Sequence, residues 1–203
     1  NKSLNKELDF ADLLECTENM SPATYNYFDG LKNKRRLILN QIIDDSVIDT
    51  VVIPLRNFVA EDELMPVEII LNSPGGEPYS GFACIDAILQ AAKTTPINLY
   101  VYGLCASMGF YIAMCGHKNP NIHVCCNKFA VGLLHGGSFS IDRATKSQAR
   151  DIMQFEDRYE TMIKDYTLSH STITEEMYAQ SERCEMYFTA EDLIKYEIVD
   201  EIL

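Results

Sequence analysis

Between residues 35 and 135 the apolar positions fall in short runs that change period, and the changes mark out the elements. RRLILN (35–40) and VEIILN (67–72) are apolar runs, the second bounded by Pro66 and by Ser-Pro-Gly-Gly, and both read as strands. INLYVYG (97–103) alternates with a period of two and predicts a third strand. Between the first two, Val47, Ile48, Val51, Val52, Leu55, Phe58 and Val59 recur at helical spacing behind a cap at Asp44 or Asp45. Pro54 sits inside that pattern and should kink or shorten the helix. Another helix is expected from about Ser80 to Lys93. SMGFYIAMCG suits a short buried helix closed by Gly116, followed by strands IHVC and AVGLLH. Strands and helices alternating in this order predict an α/β fold with parallel strands.

From Thr145 to Ser169 a long helix carries Ala149, Ile152, Met153, Tyr159, Met162, Ile163 and Tyr166 on one stripe, which predicts core or a subunit interface. Thr174 begins a further helix, EMYF is a short strand, and Thr189 with Asp192 has the form of a capping box opening the last helix. Residues 1–24 are polar and acidic, with one weak apolar cluster (Leu8, Phe10, Leu13, Leu14), and read as an arm; residues 25–203 read as one domain.

Composition narrows the class. A chain of 203 residues that is 47% hydrophobic can build a sizeable core, and no apolar run is long enough to span a bilayer. The first residues lack the basic start and apolar centre of a secretory signal, so a cytoplasmic location is expected. Seven cysteines, an odd number set mostly among apolar neighbours, fit reduced thiols better than a disulfide framework. A formal charge of −13 repels phosphate backbones and anionic lipids, which argues against nucleic-acid and membrane partners.

Two stretches carry candidate chemistry. NSPGG (72–76) ends a buried strand in a turn whose glycines let the backbone approach a ligand and aim N–H groups at it. GLCASMGF (103–110) puts Ser107 inside an apolar run, where a hydroxyl needs a partner or a task, because burying one unpaired costs about 1–3 kcal/mol. At a strand-to-helix junction Ser107 can be a nucleophile, with the N–H of Met108 as one oxyanion donor and that of Gly76 as a second. His135, at the end of AVGLLH, stands where open α/β sheets place ligand chemistry and is the candidate base. A third member, a carboxylate that orients the imidazole, has many candidates in so acidic a chain.

The motifs LNSPGG, CASMG, LLH and ERCEMYFTAEDLIKYEIVDEIL, in this order, resemble the ClpP family, the proteolytic subunits of the ATP-dependent Clp protease, from about Tyr25 to Leu203. The resemblance implies a spiral of β-β-α units of the ClpP/crotonase kind with the long helix protruding as a handle. It implies Ser107 as nucleophile, His135 as general base, and oxyanion donors at Gly76 and Met108. Anchored on TAEDLIKY, the family's triad aspartate falls on Glu185, with Asp192 and Glu182 as weaker substitutes. An extended peptide would lie between the segment after Gly76 (Glu77, Pro78 and Tyr79), with Gly75 ahead of it, and the segment Gly136, Gly137 and Ser138. Unfolded polypeptides would be cut inside a homo-oligomer of stacked rings, a tetradecamer, fed by a Clp-type AAA+ unfoldase, with the arm near the axial pore. No cofactor is implied.

The chain departs from the family pattern in several places. Glu185 replaces aspartate, Gly136-Gly137 stands where Gln-Pro is usual, Glu197 follows Tyr196 where a glycine is usual, and GHKNPNIHVCC lengthens the segment between Ser107 and His135. These departures are compatible with a specialised member: a phage-type capsid-maturation protease, or a weak or regulatory paralogue. An acyl-CoA enzyme of the crotonase fold would share the oxyanion hole but not the Ser-His couple. His117, His123, Cys125 and Cys126 raise the question of zinc, but adjacent cysteines are poorly placed to ligate one tetrahedral ion and no Cys-x-x-Cys is present, so no metal site is expected.

Overall fold

The computed structural model describes residues 21–137, 141 and 143–203. Most of the expected arm, Cys16 and Ser138 lie outside them. The first described element is helix α1 (Pro22–Asn33), which crosses the boundary drawn at 24/25; Ser21 caps it by accepting from the N–H of Thr24, and Pro22 is at its start.

Strands β1 (Arg36–Leu39), β2 (Val67–Ser73), β3 (Ile97–Ala106), β4 (Ile122–Cys126) and β7 (Glu201–Ile202) form one parallel sheet in the order β1-β2-β3-β4-β7. Alternation assigns its two faces. Leu37, Leu39, Val67, Ile69, Leu71, Ile97, Leu99, Val101, Val124 and Cys126 are buried in the core. The other face carries Arg36, Glu68, Asn98 and His123 in one row, and Ile38, Ile70, Tyr100, Cys125 and Glu201 in the next.

On the core side pack α2 (Ile53–Glu61), α3 (Pro78–Ala91) and α4 (Met108–Ala113), contributing Leu55, Phe58, Ile85, Ile88, Phe110 and Ile112. Pro54 does not kink a continuous α-helix. Its missing N–H falls in the first turn of α2, and the chain ahead of it, Ile48–Val52, winds as a π-helix.

Strand β3 is longer than its alternating pattern predicts and divides the sheet. Its first half pairs with β2 and β4, whereas Leu104, Cys105 and Ala106 pair with Val131, Gly132 and Leu133 of β5 (Val131–Leu134). The bend falls at Gly103, whose φ of +75° is open to glycine, and the β2–β3 register slips there. Asn72 bridges the gap: its Oδ1 accepts the Leu104 N–H at 3.1 Å while its Nδ2 donates to Asn40 Oδ1 at 2.6 Å. Strand β6 (Met186–Phe188) runs antiparallel to β5, the one antiparallel pair among the described strands.

Helix α5 (Lys146–Ser169) opens on a capping box between Thr145 and Gln148. Of its stripe, Ile163 and Tyr166 pack on the core, whereas Ile152, Met153 and Met162, with Phe155, are exposed. Helices α6 (Glu175–Ser181) and α7 (Ala190–Lys195) follow, ahead of β7; α7 has the Thr189–Asp192 box. No helix among the described residues is long and apolar enough to cross a membrane.

Candidate active site

Ser107 joins β3 directly to α4. Its backbone, at φ +51° and ψ −122°, lies in a region that L-residues rarely enter and that costs about 1–3 kcal/mol. The turn is held by the Ser107 N–H, which donates to Leu133 O of β5 at 2.9 Å, and by Phe110 N–H, which donates to Ser107 O at 2.9 Å. The side chain is thereby displayed at the end of a buried strand, half-exposed between buried Ala106 and Met108. A serine in so sharp a strand-to-helix turn is the arrangement of a nucleophile elbow.

The NSPGG turn closes over this junction. Gly75 (φ +94°) is pressed so closely on it that a methyl group there would come within 2.5 Å of Ser107 Cβ and 2.9 Å of Met108 N. Gly76 forms a parallel bridge with Ile43: Ile43 N–H donates to Gly75 O at 2.9 Å and Glu77 N–H donates to Ile43 O at 2.8 Å. The flanking groups are used on the Ile43 side, so by strand alternation the N–H and C=O of Gly76 face the opposite way, like the free edge of a strand. Ser73 Oγ steadies the turn, donating to Gln41 O at 2.6 Å and accepting the Gly75 N–H at 3.1 Å.

A cleft of about 430 Å³ opens at this point, lined by Gly76, Pro78, Ser107, Met108, His135 and Gly137 among the anticipated residues. Gly75, within the NSPGG turn, and Glu77, which follows it, adjoin this lining, and Gly136 lies between His135 and Gly137. His135 directly follows β5, and its position is set from both sides: Leu134 pairs with Met186, and Gly136 N–H donates to Ser181 O at 2.8 Å. Among the described residues Ser107 and His135 share the cleft without a hydrogen bond between their side chains.

The carboxylates are arranged differently from the motif alignment. The β5–β6 register ends at Leu134↔Met186, and the next residues along it are His135 and Glu185. Yet Glu185 is exposed and does not line the cleft; its Oε2 accepts from Tyr187 Oη at 2.7 Å, and that bond raises the Tyr187 phenol above its ordinary pKa. Asp192 is committed to the helix cap, accepting from Thr189 N–H at 3.0 Å. Glu182, at the end of α6, does line the cleft, and a Cβ on Gly136 would sit 3.3 Å from its Oε2. The glycine in place of the usual glutamine therefore leaves room for the Glu182 carboxylate beside Gly136.

The far wall joins Tyr79, from the anticipated substrate segment, and Tyr159, from the stripe of α5, to Tyr111, Glu156, Glu160 and Tyr178, which sequence reasoning passed over. Glu156 and Glu160 are one helical turn apart beside Tyr159 and Ile163, a spacing that marks one face of α5. Burial, reinforced by Tyr79 and Glu156, pushes the Tyr159 phenol up to about 12; burial and then Tyr111 and Glu182 raise that of Tyr178. The wall is acidic and aromatic, suited to a neutral or cationic chain.

The α/β sheet thus displays a strained serine, a histidine and an outward-facing amide strand edge in one cleft. The chain belongs to the Clp protease family, a family of serine peptidases: the family model described as Clp protease matches residues 18–203.

Proposed function

We propose that the chain is a serine endopeptidase of the ClpP kind, cutting unfolded polypeptides through an acyl-enzyme. The observation that carries this reading is the shared cleft of Ser107 and His135 beside the free amide of Gly76. The extended substrate adds a strand along the edge at Gly76, Glu77 and Pro78, with Gly136 and Gly137 on its other side. Ser107 Oγ attacks the scissile carbonyl carbon while His135 takes the hydroxyl proton, and the carbonyl oxygen becomes an oxyanion held by the N–H groups of Gly76 and Met108. Collapse breaks the C–N bond as His135 returns the proton to the leaving amine, and water, deprotonated by the same imidazole, releases the acyl group. The orienting carboxylate is Glu185 if its bond to Tyr187 opens, or Glu182 from within the cleft. Assembly as a tetradecamer of stacked homo-oligomeric rings, a cytoplasmic setting and delivery by a Clp-type AAA+ unfoldase belong to the same proposal. The exposed apolar residues of α5 support its role as a handle between rings.

A regulatory, weakly active member is the second reading, favoured by the engagement of Glu185 with Tyr187. A fluorophosphonate probe separates the two. A Ser107 adduct mapped by mass spectrometry and absent from Ser107→Ala supports the peptidase; no adduct on assembled protein supports the regulatory subunit.

A further inference from the structure

The sheet face opposite the core gathers a second set of reactive side chains, remote in the sheet from the cleft. His123 and Cys125 are two residues apart on β4 and so point the same way, and Cys125 pairs across the ladder with Glu201 of β7. Cys126 points into the core, so the adjacent cysteines of the sequence are separated by the pleat and the relevant partners of Cys125 are His123 and Glu201. One ligand atom from each of the three lies within 4.8 Å of the others: His123 Nε2 is 3.3 Å from Glu201 Oε2, and Cys125 Sγ is 4.0 Å from the same oxygen. Ligands at about 2.0–2.3 Å from a tetrahedral zinc ion stand about 3.3–3.7 Å apart, close to this spacing.

The surroundings suit a cation as well. Asp200 Oδ2, fixed by accepting the Val124 N–H at 2.8 Å, lies 3.5 Å from His123 Nδ1. A carboxylate facing Nδ1 holds the proton there and turns the Nε2 lone pair towards Glu201, the outer-shell arrangement found behind zinc-bound histidines. Among the described residues neither Asp200 nor Glu201 is paired with a lysine or arginine.

We propose that His123 Nε2, Cys125 Sγ and Glu201 bind one zinc ion per chain, with Asp200 as the positioning residue and water in the fourth place. Thiolate, imidazole and carboxylate form the mixed soft and hard set that zinc accepts, and the two anionic ligands balance its charge. Binding exchanges the Cys125 thiol proton, released to solvent, for the metal–sulfur bond. The ion would clip the two-residue strand β7 to β4, where the ladder is shortest.

The test uses full-length protein freed of metal by chelator and titrated with Zn²⁺ by calorimetry and with Co²⁺ by absorption spectroscopy. One equivalent per chain, a thiolate-to-cobalt charge-transfer band and a Tm that rises with added zinc are expected. Cys125→Ser should abolish the band and weaken zinc binding at least 100-fold; the exposed-site variants His123→Ala and Glu201→Gln should each weaken it at least 10-fold; Asp200→Asn should weaken it about 10-fold while keeping the band. Cys184→Ser should leave binding unchanged. Absence of the band in the parent protein, or isotherms unaltered in His123→Ala and Glu201→Gln, would overturn the site and leave only loose binding by surface carboxylates.

Discussion

Glu197 holds a left-handed backbone at φ +57°, closing α7 with its N–H on Ile194 O at 3.0 Å while Ile198 N–H reaches back to Leu193 O at 2.8 Å. That cap geometry favours glycine, and the family's usual residue there is glycine. The glutamate returns only a backbone carbonyl 3.2 Å from His117 Nδ1, which any residue would supply, and a carboxylate 3.5 Å from the same nitrogen. Glu197→Gly should therefore stabilise the fold by about 0.5–1 kcal/mol, the relief of left-handed strain less the extra chain entropy of glycine, seen as a rise of a few degrees in Tm. At Ser107 comparable strain persists because it sets the direction of the side chain, so Ser107→Gly should relieve strain yet abolish fluorophosphonate labelling.

At the level of elements, the bend in β3 depends on one side chain. Asn72→Ala leaves the partly buried Leu104 N–H without its acceptor and Asn40 without its donor, and should destabilise the protein by about 1–3 kcal/mol in urea melts. It should also slow fluorophosphonate labelling of Ser107, because the half-strand that carries the serine loses its brace. The sequence made the simple elements legible: β2 and β4 lie where their apolar runs stand, and the Thr145 and Thr189 caps start the helices their hydroxyls announce. The elements it hid are those whose stability comes from elsewhere. Helix α1 has a polar sequence with one buried residue, Gly30, and β7 is two residues held by β4. The extension of β3 to Ala106 depends on pairing with a strand 25 or more residues further on, which no local period can announce. That Ser107, His135 and the glycine turn stand at strand ends was legible, and the structure brings them to one cleft. Which carboxylate faces the cleft was less legible, because alignment along β6 cannot tell which way a side chain turns: Glu185 bonds Tyr187, while Glu182 lines the cleft from the end of a helix.

For the whole molecule the excess of negative charge becomes specific where it lines the cleft. Glu156, Glu160 and Glu182 face the space beside Ser107 and His135, and no lysine or arginine lines it among the described residues. Peptides with Lys or Arg near the scissile bond should be cleaved faster than matched peptides with Asp or Glu, by at least 10-fold in kcat/KM at low salt. The ratio should narrow as ionic strength rises, because partly solvated charges are screened over about 10 Å at 0.1 M. Glu156→Gln with Glu160→Gln should reduce the same ratio while leaving the labelling rate of Ser107 unchanged.

The forked path of β3 has a mechanical corollary. The serine and histidine ride on neighbouring strands joined by a ladder and by the bond from Ser107 N–H to Leu133 O, so breathing of the sheet carries their backbones as one body. The segment that carries Gly76 is moored instead to Ile43, through Gly75 O and Glu77 N–H, on the far side of the fork. Any flexing that idles the proposed peptidase would then misplace the proposed oxyanion cradle, or swivel an imidazole, before it drew the two main chains apart.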